Sequence, residues 1–486
     1  MKGTVSGASG KVDAFVSGSS FSRRGFVLSD HFSPTPHEDG GLRENSDMER
    51  QNGFANVGYS PSDRTSLGWT FSYLRGEQGK PPVVNADPYD WFAKPLKFER
   101  ENDAENFSTQ FAASHRLDGP LSLKGWIYFN QLRLLENRYD NANYDSQELK
   151  GAQRSDATTR IAGANLQVGC DLEEFGSATL GLMTEADDWQ ADGFTVKKKS
   201  EDTEELIKGP FDEARDFQIY SALLEYNVSP IRNLGITLGL GLHWQDLDSG
   251  RYDDYSYLIG AYYDLFQGTR LRASHARKIR FPTIRDLYDI DSGNPDLTPE
   301  ETLHYEAGLE QRLPAQTVVS LTGFTVDAYD FIEQNNLTQR SQNFDKYLFR
   351  GFEVSAENRF VENLFVRVSY TFLDAINRGS DSPVEELQYR PGDKVAAEGC
   401  YRFSWGTSLY ASVVYSGDQV FYDKYSVLKS HLTGFTVVDV KVSQSMVKNT
   451  MDIYVGVRNL MDEDFEESYG LPQAGRTLYG GVAYRF

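Results

Sequence analysis

The chain has 486 residues, 39% of them hydrophobic, with a formal net charge of −22 and a mean hydropathy of −0.52. No run approaches the roughly 20 apolar residues that a membrane-spanning helix needs, and the acidity argues against a nucleic-acid partner, because phosphate binding requires basic clusters. Two cysteines exclude a disulfide framework, whereas 28 Tyr, 30 Phe, 6 Trp and 42 Gly suit many strands and turns with amphipathic rings at a boundary.

From the amino terminus, KGTVSGAS reads as a strand ahead of a tight turn at Gly10–Lys11. Leu67, Trp69, Phe71 and Tyr73 then alternate with small or polar residues, as do Leu121, Leu123, Ile127 and Phe129. Period two is the repeat of a strand with one apolar face. In LGITLGLGLHW the pattern is complete: Ile236, Leu238, Leu240, Leu242 and Trp244 on one side, Thr237, Gly239, Gly241 and His243 on the other. TPEETLHYEAGLEQRL contains strong helix formers and a capping-box spacing from Thr298 to Glu301. Its apolar residues Leu303, Tyr305, Ala307 and Leu309 nevertheless alternate strictly, which predicts a strand. Val366, Val368, Tyr370 and Phe372 follow, then Leu409, Ala411, Val413 and Tyr415, and the chain closes on GRTLYGGVAYRF with Leu478, Gly480, Val482, Tyr484 and Phe486 on one parity.

None of these apolar faces carries a charge, while the opposite faces do, as at Lys124 and Arg367. A soluble barrel would need the reverse. The pattern predicts an all-β fold, a transmembrane antiparallel β-barrel whose apolar face meets lipid and whose ring closure satisfies the backbone. An array of β-sandwiches or a soluble propeller is the alternative, but strands with so regular an apolar half need something apolar to touch. Cys170 shares parity with Leu166 and Val168, whereas Cys400 lies opposite Tyr401 and Phe403, so no bond between them is expected.

The connections alternate as well. Short turn signals fall at residues 60–64, 116–120, 173–177, 229–233, 266–269, 313–316, 361–364, 404–407 and 447–450. Longer polar stretches such as FVLSDHFSPTPHEDGGLREN and QADGFTVKKKSEDTEELIKGP lie between them, the asymmetry of short periplasmic turns and long outer loops. Counting gives about 21 strands. An odd number would force a parallel closing pair, so an upward strand ahead of KGTVSGAS is expected to be missing.

Two stretches resemble a known family. ARKIRFPTIRDLYDIDSGNPDLTPEETLHYEAGLE is similar to a hallmark of TonB-dependent outer-membrane receptors, through Arg280, Pro282, Leu287, Tyr288, Gly293, Asn294, Pro295, Leu297, Pro299, Glu300, Tyr305, Glu306 and Gly308. VGVRNLMDEDFEESYGLPQAGRTLYGGVAYRF resembles the same family's final hairpin, through Asn459–Leu460, Tyr469, Pro472, Gly475–Arg476 and the terminal aromatic. GYSPSDRTSLGWTFSYLRGEQGKPP also resembles one of its strand pairs, so the likeness covers most of the chain. It implies a 22-stranded barrel, of which about 21 strands are expected over residues 1–486, with no signal peptide, TonB box or plug domain in this stretch.

The resemblance implies the barrel part of a receptor that actively imports a scarce nutrient, a small-molecule metal chelate such as a ferric siderophore, or a corrinoid. Its implied partners are outer-membrane lipid and lipopolysaccharide, the barrel-assembly machinery through Val482, Tyr484 and Phe486, and the TonB complex where a plug and TonB box are supplied elsewhere. A plug-free passive pore and a surface binding protein that transports nothing remain the alternatives.

Candidate site residues come with plainer readings. Pro295 and Pro299 rigidify an outer loop as readily as they approach a ligand. Arg277, Arg280 and Arg285 either line the lumen mouth to meet an anionic chelate or a plug carboxylate, or pair across neighbouring strands. EADDWQADG, SEDTEELIKGPFDEARD and MDEDFEES read as acidic loops that either select a cationic or metal-bearing substrate or are simply solvated and bridged by divalent cations to lipopolysaccharide. His243 and His275 are isolated, so no metal site is read. No nucleophile motif supports an enzyme, and no resident cofactor is expected.

Overall fold

The computed structural model describes all residues except 88, 201–202, 267, 336, 380–383, 426–427, 448–449 and 486. The strands in chain order are β1 (Lys2–Ser9), β2 (Val12–Arg23), β3 (Met48–Ser62), β4 (Thr65–Lys80), β5 (Phe98–Arg116), β6 (Leu121–Tyr139), β7 (Gln153–Asp171) and β8 (Ser177–Lys198). They continue with β9 (Leu206–Ile231), β10 (Leu234–Leu247), β11 (Gly250–Phe266), β12 (Thr269–Arg280), β13 (Glu300–Leu313), β14 (Thr317–Gln334), β15 (Ser341–Asn358) and β16 (Leu364–Asn377). The last are β17 (Asp393–Arg402), β18 (Thr407–Ser416), β19 (Gln419–Tyr422), β20 (Lys429–Leu432), β21 (Phe435–Met446), β22 (Met451–Arg458) and β23 (Thr477–Tyr484). Among the described residues helix is confined to a 3-10 turn at Glu173–Phe175 and to α1 (Ile284–Tyr288). Among the described residues no helix is long and apolar enough to cross a membrane, which says nothing of strands.

All but β19 and β20 join one 21-stranded antiparallel sheet in which neighbours in sequence are neighbours in space. The strand count agrees with the sequence reading, as do the short turns other than 266–269 and 447–450, parts of which lie outside the described residues, and the segment with helix formers after residue 299 is β13. Cys170 and Cys400 are free thiols on β7 and β17.

Register explains the apolar face. Leu180, Leu224, Leu240 and Tyr257 are successive cross-strand partners from β8 to β11, and Leu166, Leu182, Ala222, Leu242 and Tyr255 form the next row. Leu180, Leu224 and Leu240 are 46–50% exposed. A continuous apolar surface of this kind demands an apolar solvent. The opposite face is polar: the imidazole of His243 hydrogen-bonds Ser221 Oγ at 2.9 Å and Ser256 Oγ at 2.8 Å.

Farther up, the same outward parity turns charged, with Arg75–Asp103, Arg133–Asp156, Arg160–Asp188, Lys346–Asp327 and Arg350–Asp374 pairs at 2.7–3.4 Å. Ion pairs at this level mark where lipid gives way to water.

The wall is uneven in height. Strands β5 to β9 run 19–26 residues, against the 9–11 or so that span a bilayer. Residues 190–198 and 206–216, expected as loop, are therefore strand, and so is EADDWQADG, which belongs to β8. Above the lipid both faces of a hairpin meet water or polar protein, so the ladder continues without apolar alternation.

Strands β1 and β23 are first and last of an odd antiparallel series and so run in the same direction. Above them the two ends of the sheet are tied by the segments 24–47 and 459–476. Ser29 Oγ donates to the Asp462 carbonyl at 2.6 Å, the backbone N–H groups of Asp30 and Arg476 donate to its carboxylate at 3.0 and 2.7 Å, and Gly475 N–H donates to the Val27 carbonyl at 2.9 Å. Asn459, at φ 49°, supplies the left-handed turn of the final motif and holds the Glu463 and Ala474 carbonyls through Nδ2.

Candidate functional site

The segment 281–299 between β12 and β13 is a strap folded onto the inner wall. Thr283 caps α1: its hydroxyl accepts from Asp286 N–H at 3.1 Å while the Asp286 carboxylate accepts from Thr283 N–H at 3.0 Å. The capping box thus sits at Thr283–Asp286, and Thr298–Glu301 leads into β13. Behind α1 the chain turns so tightly that a Cβ on Gly293 would come within 2.5 Å of the Asp289 carbonyl.

Three strap side chains, Ile284, Leu287 and Leu297, are 3%, 1% and 0% exposed. They pack with Trp189 of β8, Phe217 of β9 and Ile332 of β14 into a small apolar core at the mouth. Gln245 of β10 fastens the start of the strap, donating to the Pro282 carbonyl at 3.1 Å, and Tyr252 donates to the Leu297 carbonyl at 3.0 Å. Asn294 Nδ2 donates to the Ser341 carbonyl at 2.8 Å, and Arg340 donates twice to the Gly293 carbonyl, so Arg340 and the start of β15 back the strap. Pro295 is exposed and Pro299 partly so, each fixing the backbone beside a buried neighbour, Leu297 or Glu300.

The three arginines part company. Arg280 forms a two-pronged pair with Glu300 and a further bond to Asp286 at 2.9 Å. Glu300 also accepts from Ile332 N–H at 2.6 Å. Arg277 shares parity with Leu271, and its guanidinium fills the opening where β11 and β12 stop pairing above Tyr257. There it bonds Asp254 at 2.6 Å and Glu301 at 2.9 Å and covers the Tyr255 ring at 4.1 Å. Arg285 reaches carboxylates only at 3.3 and 3.7 Å, on Asp289 and Glu136.

Farther down β13, Tyr305 stacks on His275 at 4.3 Å on the outward face. His275 Nδ1 donates to the His304 carbonyl, which leaves Nε2 to accept from the Tyr257 hydroxyl at 2.8 Å. Glu306 is exposed on the inward parity. Gly308 leaves room for the Arg272 side chain, whose Nε would lie 2.6 Å from an added Cβ. At the end of the chain, Val482 and Tyr484 are 64% exposed and outward beside Ile453 and Met451, while Phe486 lies outside the described residues.

Between the strap and the β5–β7 wall lies a cavity of about 390 Å3. Lys80, Lys97, Arg100, Arg138 and Arg285 line it, with Glu99, Glu136, Asp289 and Asp291. Arg138 of β6 pairs with Glu99 and reaches across to Asp291 of the strap, both at 2.7 Å. Burial works against the Asp289 carboxylate, but N–H groups of Ser292 and Asp291 and the Arg285 guanidinium outweigh it and hold the group below the usual range. Elsewhere among the outer segments, Phe421 stacks on Tyr389 and Tyr469 and meets Phe92 edge-on. Among the described residues no cluster of three or more His, Cys, Asp or Glu is placed to hold a metal ion.

Sequence reasoning singled out Arg285 and the strap motif but missed the wall side of the cavity. Lys97, Arg100 and Arg138 carry no motif; the register of β5 and β6 brings Arg100 and Arg138 there, with Lys97 just ahead of β5.

A profile of the family described as TonB dependent receptor-like, beta-barrel, matches residues 37–460. Among solved structures, the FrpB iron transporter from Neisseria meningitidis, F5-1 variant, superposes with a TM-score of 0.80 at 15% identity, covering 99% of this chain and 79% of that one. The copper transporter OprC gives 0.77 at 16% identity, over 98% and 76%. The ferric-catecholate import receptor Fiu from K12 E. coli, closed form, gives 0.74 at 12% identity, over 100% and 80%. At these identities the superpositions establish the fold, a transmembrane β-barrel, and the profile match establishes the kinship.

Proposed function

This chain belongs to the TonB-dependent receptor-like β-barrel family, and from that premise we propose that it is the barrel part of a receptor for active uptake of a scarce nutrient. Its location is the outer membrane of a Gram-negative bacterium. The nutrient class is a metal chelate or a corrinoid, captured at the outer mouth. The observation that carries this reading is the cation-lined cavity beneath the strap, in a chain whose net charge is −22. Five cations against four carboxylates in its lining leave this point of so acidic a protein with a net positive charge, which favours an anionic solute there.

The barrel spans residues 1–486, takes its energy from the TonB complex through a plug, and is assembled through Val482, Tyr484 and Phe486. The outward leucine rows meet lipid, and the ion pairs above them meet the lipopolysaccharide layer.

The test is uptake in cells. The chain, expressed with a family plug in a strain stripped of other receptors, is expected to restore growth on a scarce chelate only while the inner membrane is energised. Growth that ignores de-energisation, together with large steady conductance of the refolded chain in planar bilayers, would identify a passive pore instead.

A further inference from the structure

We propose that the cavity between the strap and the β5–β7 wall is a binding site for a small polycarboxylate, with Lys97 and Arg285 as its ligand-seeking cations. The inference rests on the receptor reading and narrows it to a substrate class.

Three observations converge. Lys80, Arg100 and Arg138 are each paired with a carboxylate at 2.7 Å or less, on Glu136, Asp47 and Glu99. Lys97 has no carboxylate partner among the described residues, and Arg285 touches its two only at 3.3 and 3.7 Å. An ammonium carries three donors and a guanidinium five, so both cations, exposed in the lining of one small space, keep hydrogen-bonding capacity there.

Size is the second constraint. At about 390 Å3 the cavity sits near the lower end of the ~300–1,000 Å3 range of ligand pockets. That volume suits a compact solute with a few carboxylates and excludes a corrinoid.

The third is that the site has two halves. Arg285, Asp289 and Asp291 come from the strap, and Lys97, Arg100 and Arg138 from the wall. A ligand bridging Lys97 and Arg285 adds to the Arg138–Asp291 bond and draws the strap onto the wall.

The probe is tricarballylate, three carboxylates without a metal, and its uncharged trimethyl ester is the control. Titration calorimetry on the refolded full chain is expected to show binding of the acid, none of the ester, and weakening as salt rises. Lys97→Gln and Arg285→Gln should each weaken binding about tenfold or more, the loss of one charge-assisted contact. Arg312→Gln, at the opposite end of the barrel, should leave it unchanged.

Binding should also slow hydrogen exchange across Ile284–Tyr288. Lys97 is exposed ahead of β5, so its substitution is readable even if the strap variant misfolds, and heat-modifiable migration checks each barrel. Equal affinity for acid and ester, no binding of either, or indifference to both substitutions would overturn the proposal. Energised uptake of another nutrient without tricarballylate binding would refute this site while leaving the receptor role standing.

Discussion

Arg280 and Glu300, the last residue of β12 and the first of β13, meet in a two-pronged ion pair, Nε to Oε2 and Nη2 to Oε1, both at 2.7 Å. The pair clamps the base of the strap, and Glu300 also accepts from Ile332 N–H on β14. Glu300→Gln keeps the shape but gives up the charge and one acceptor, and should loosen the strap by about 1–3 kcal/mol. Protease cleavage within 281–299 should speed up in step, while the strands stay resistant. Unchanged cleavage would show that the apolar core alone holds the strap.

That core makes its own prediction. Leu297 is fully buried against the Trp189 and Phe217 cluster, so Leu297→Ala removes several methyl groups and leaves a void. About 2–5 kcal/mol of local stability should be lost. Hydrogen exchange should rise in α1 and at Arg340 and Ser341 and stay constant in the periplasmic turns.

The seam between the chain ends should respond to acid. Burial disfavours the charged form of Asp462, but N–H groups of Arg476 and Asp30 and the Arg476 guanidinium overcome it and lower the pKa below its ordinary 3.8. A depressed carboxylate contributes stability that is full above the unfolded pKa and is lost as pH falls through the folded one. The 24–47 and 459–476 segments should therefore stay joined at neutral pH and separate only below about pH 4. Asp462→Asn should separate them at pH 7 and abolish the acid step, read by a fluorophore pair across the seam.

The lipid-facing assignment is tested at Leu240, midway along β10 and half exposed in the outward leucine row. Leu240→Arg should destabilise the barrel in liposomes by about 2–4 kcal/mol. Gly239→Ser, one residue away on the polar face, should shift the urea midpoint far less. Equal effects would mean that the two faces are assigned wrongly.

Much of this architecture was legible because its signals are local. Period two in Ile236 to Trp244, or in Leu303 to Leu309, reports a surface that is apolar on one side, and it outweighed the helix propensity of the residues opening β13. Short turns announce themselves through Pro, Gly and Asn, which hold for two to five residues whatever surrounds them. The upper halves of β8 and β9 gave no such signal. Phe194, Thr195 and Val196 lie where neither face meets lipid, so the sequence there reads as loop while the ladder continues.

The candidate site was legible in part. The strap motif pointed at Arg280, Arg285 and Glu300, but their roles were left open between ligand contact and pairing. Arg280 and Glu300 turn to each other, Arg277 is stitched between β11 and β13, and Arg285 alone faces the cavity with contacts to spare.

The sequence by itself determined the fold class, the strand count, the apolar face and the family, since each is written in spacings that a single strand or turn enforces. Only the tertiary structure decided where the strap lies and what it faces. Leu287 and Leu297 follow no strand period, and their partners Trp189 and Phe217 stand on other strands. The cavity likewise joins Lys97 and Arg138 to Arg285 through the pairing of β5 with β6 and the fold of the strap. Such meetings are fixed by register across many strands and by burial of a few apolar side chains, neither of which leaves a periodic trace in the chain.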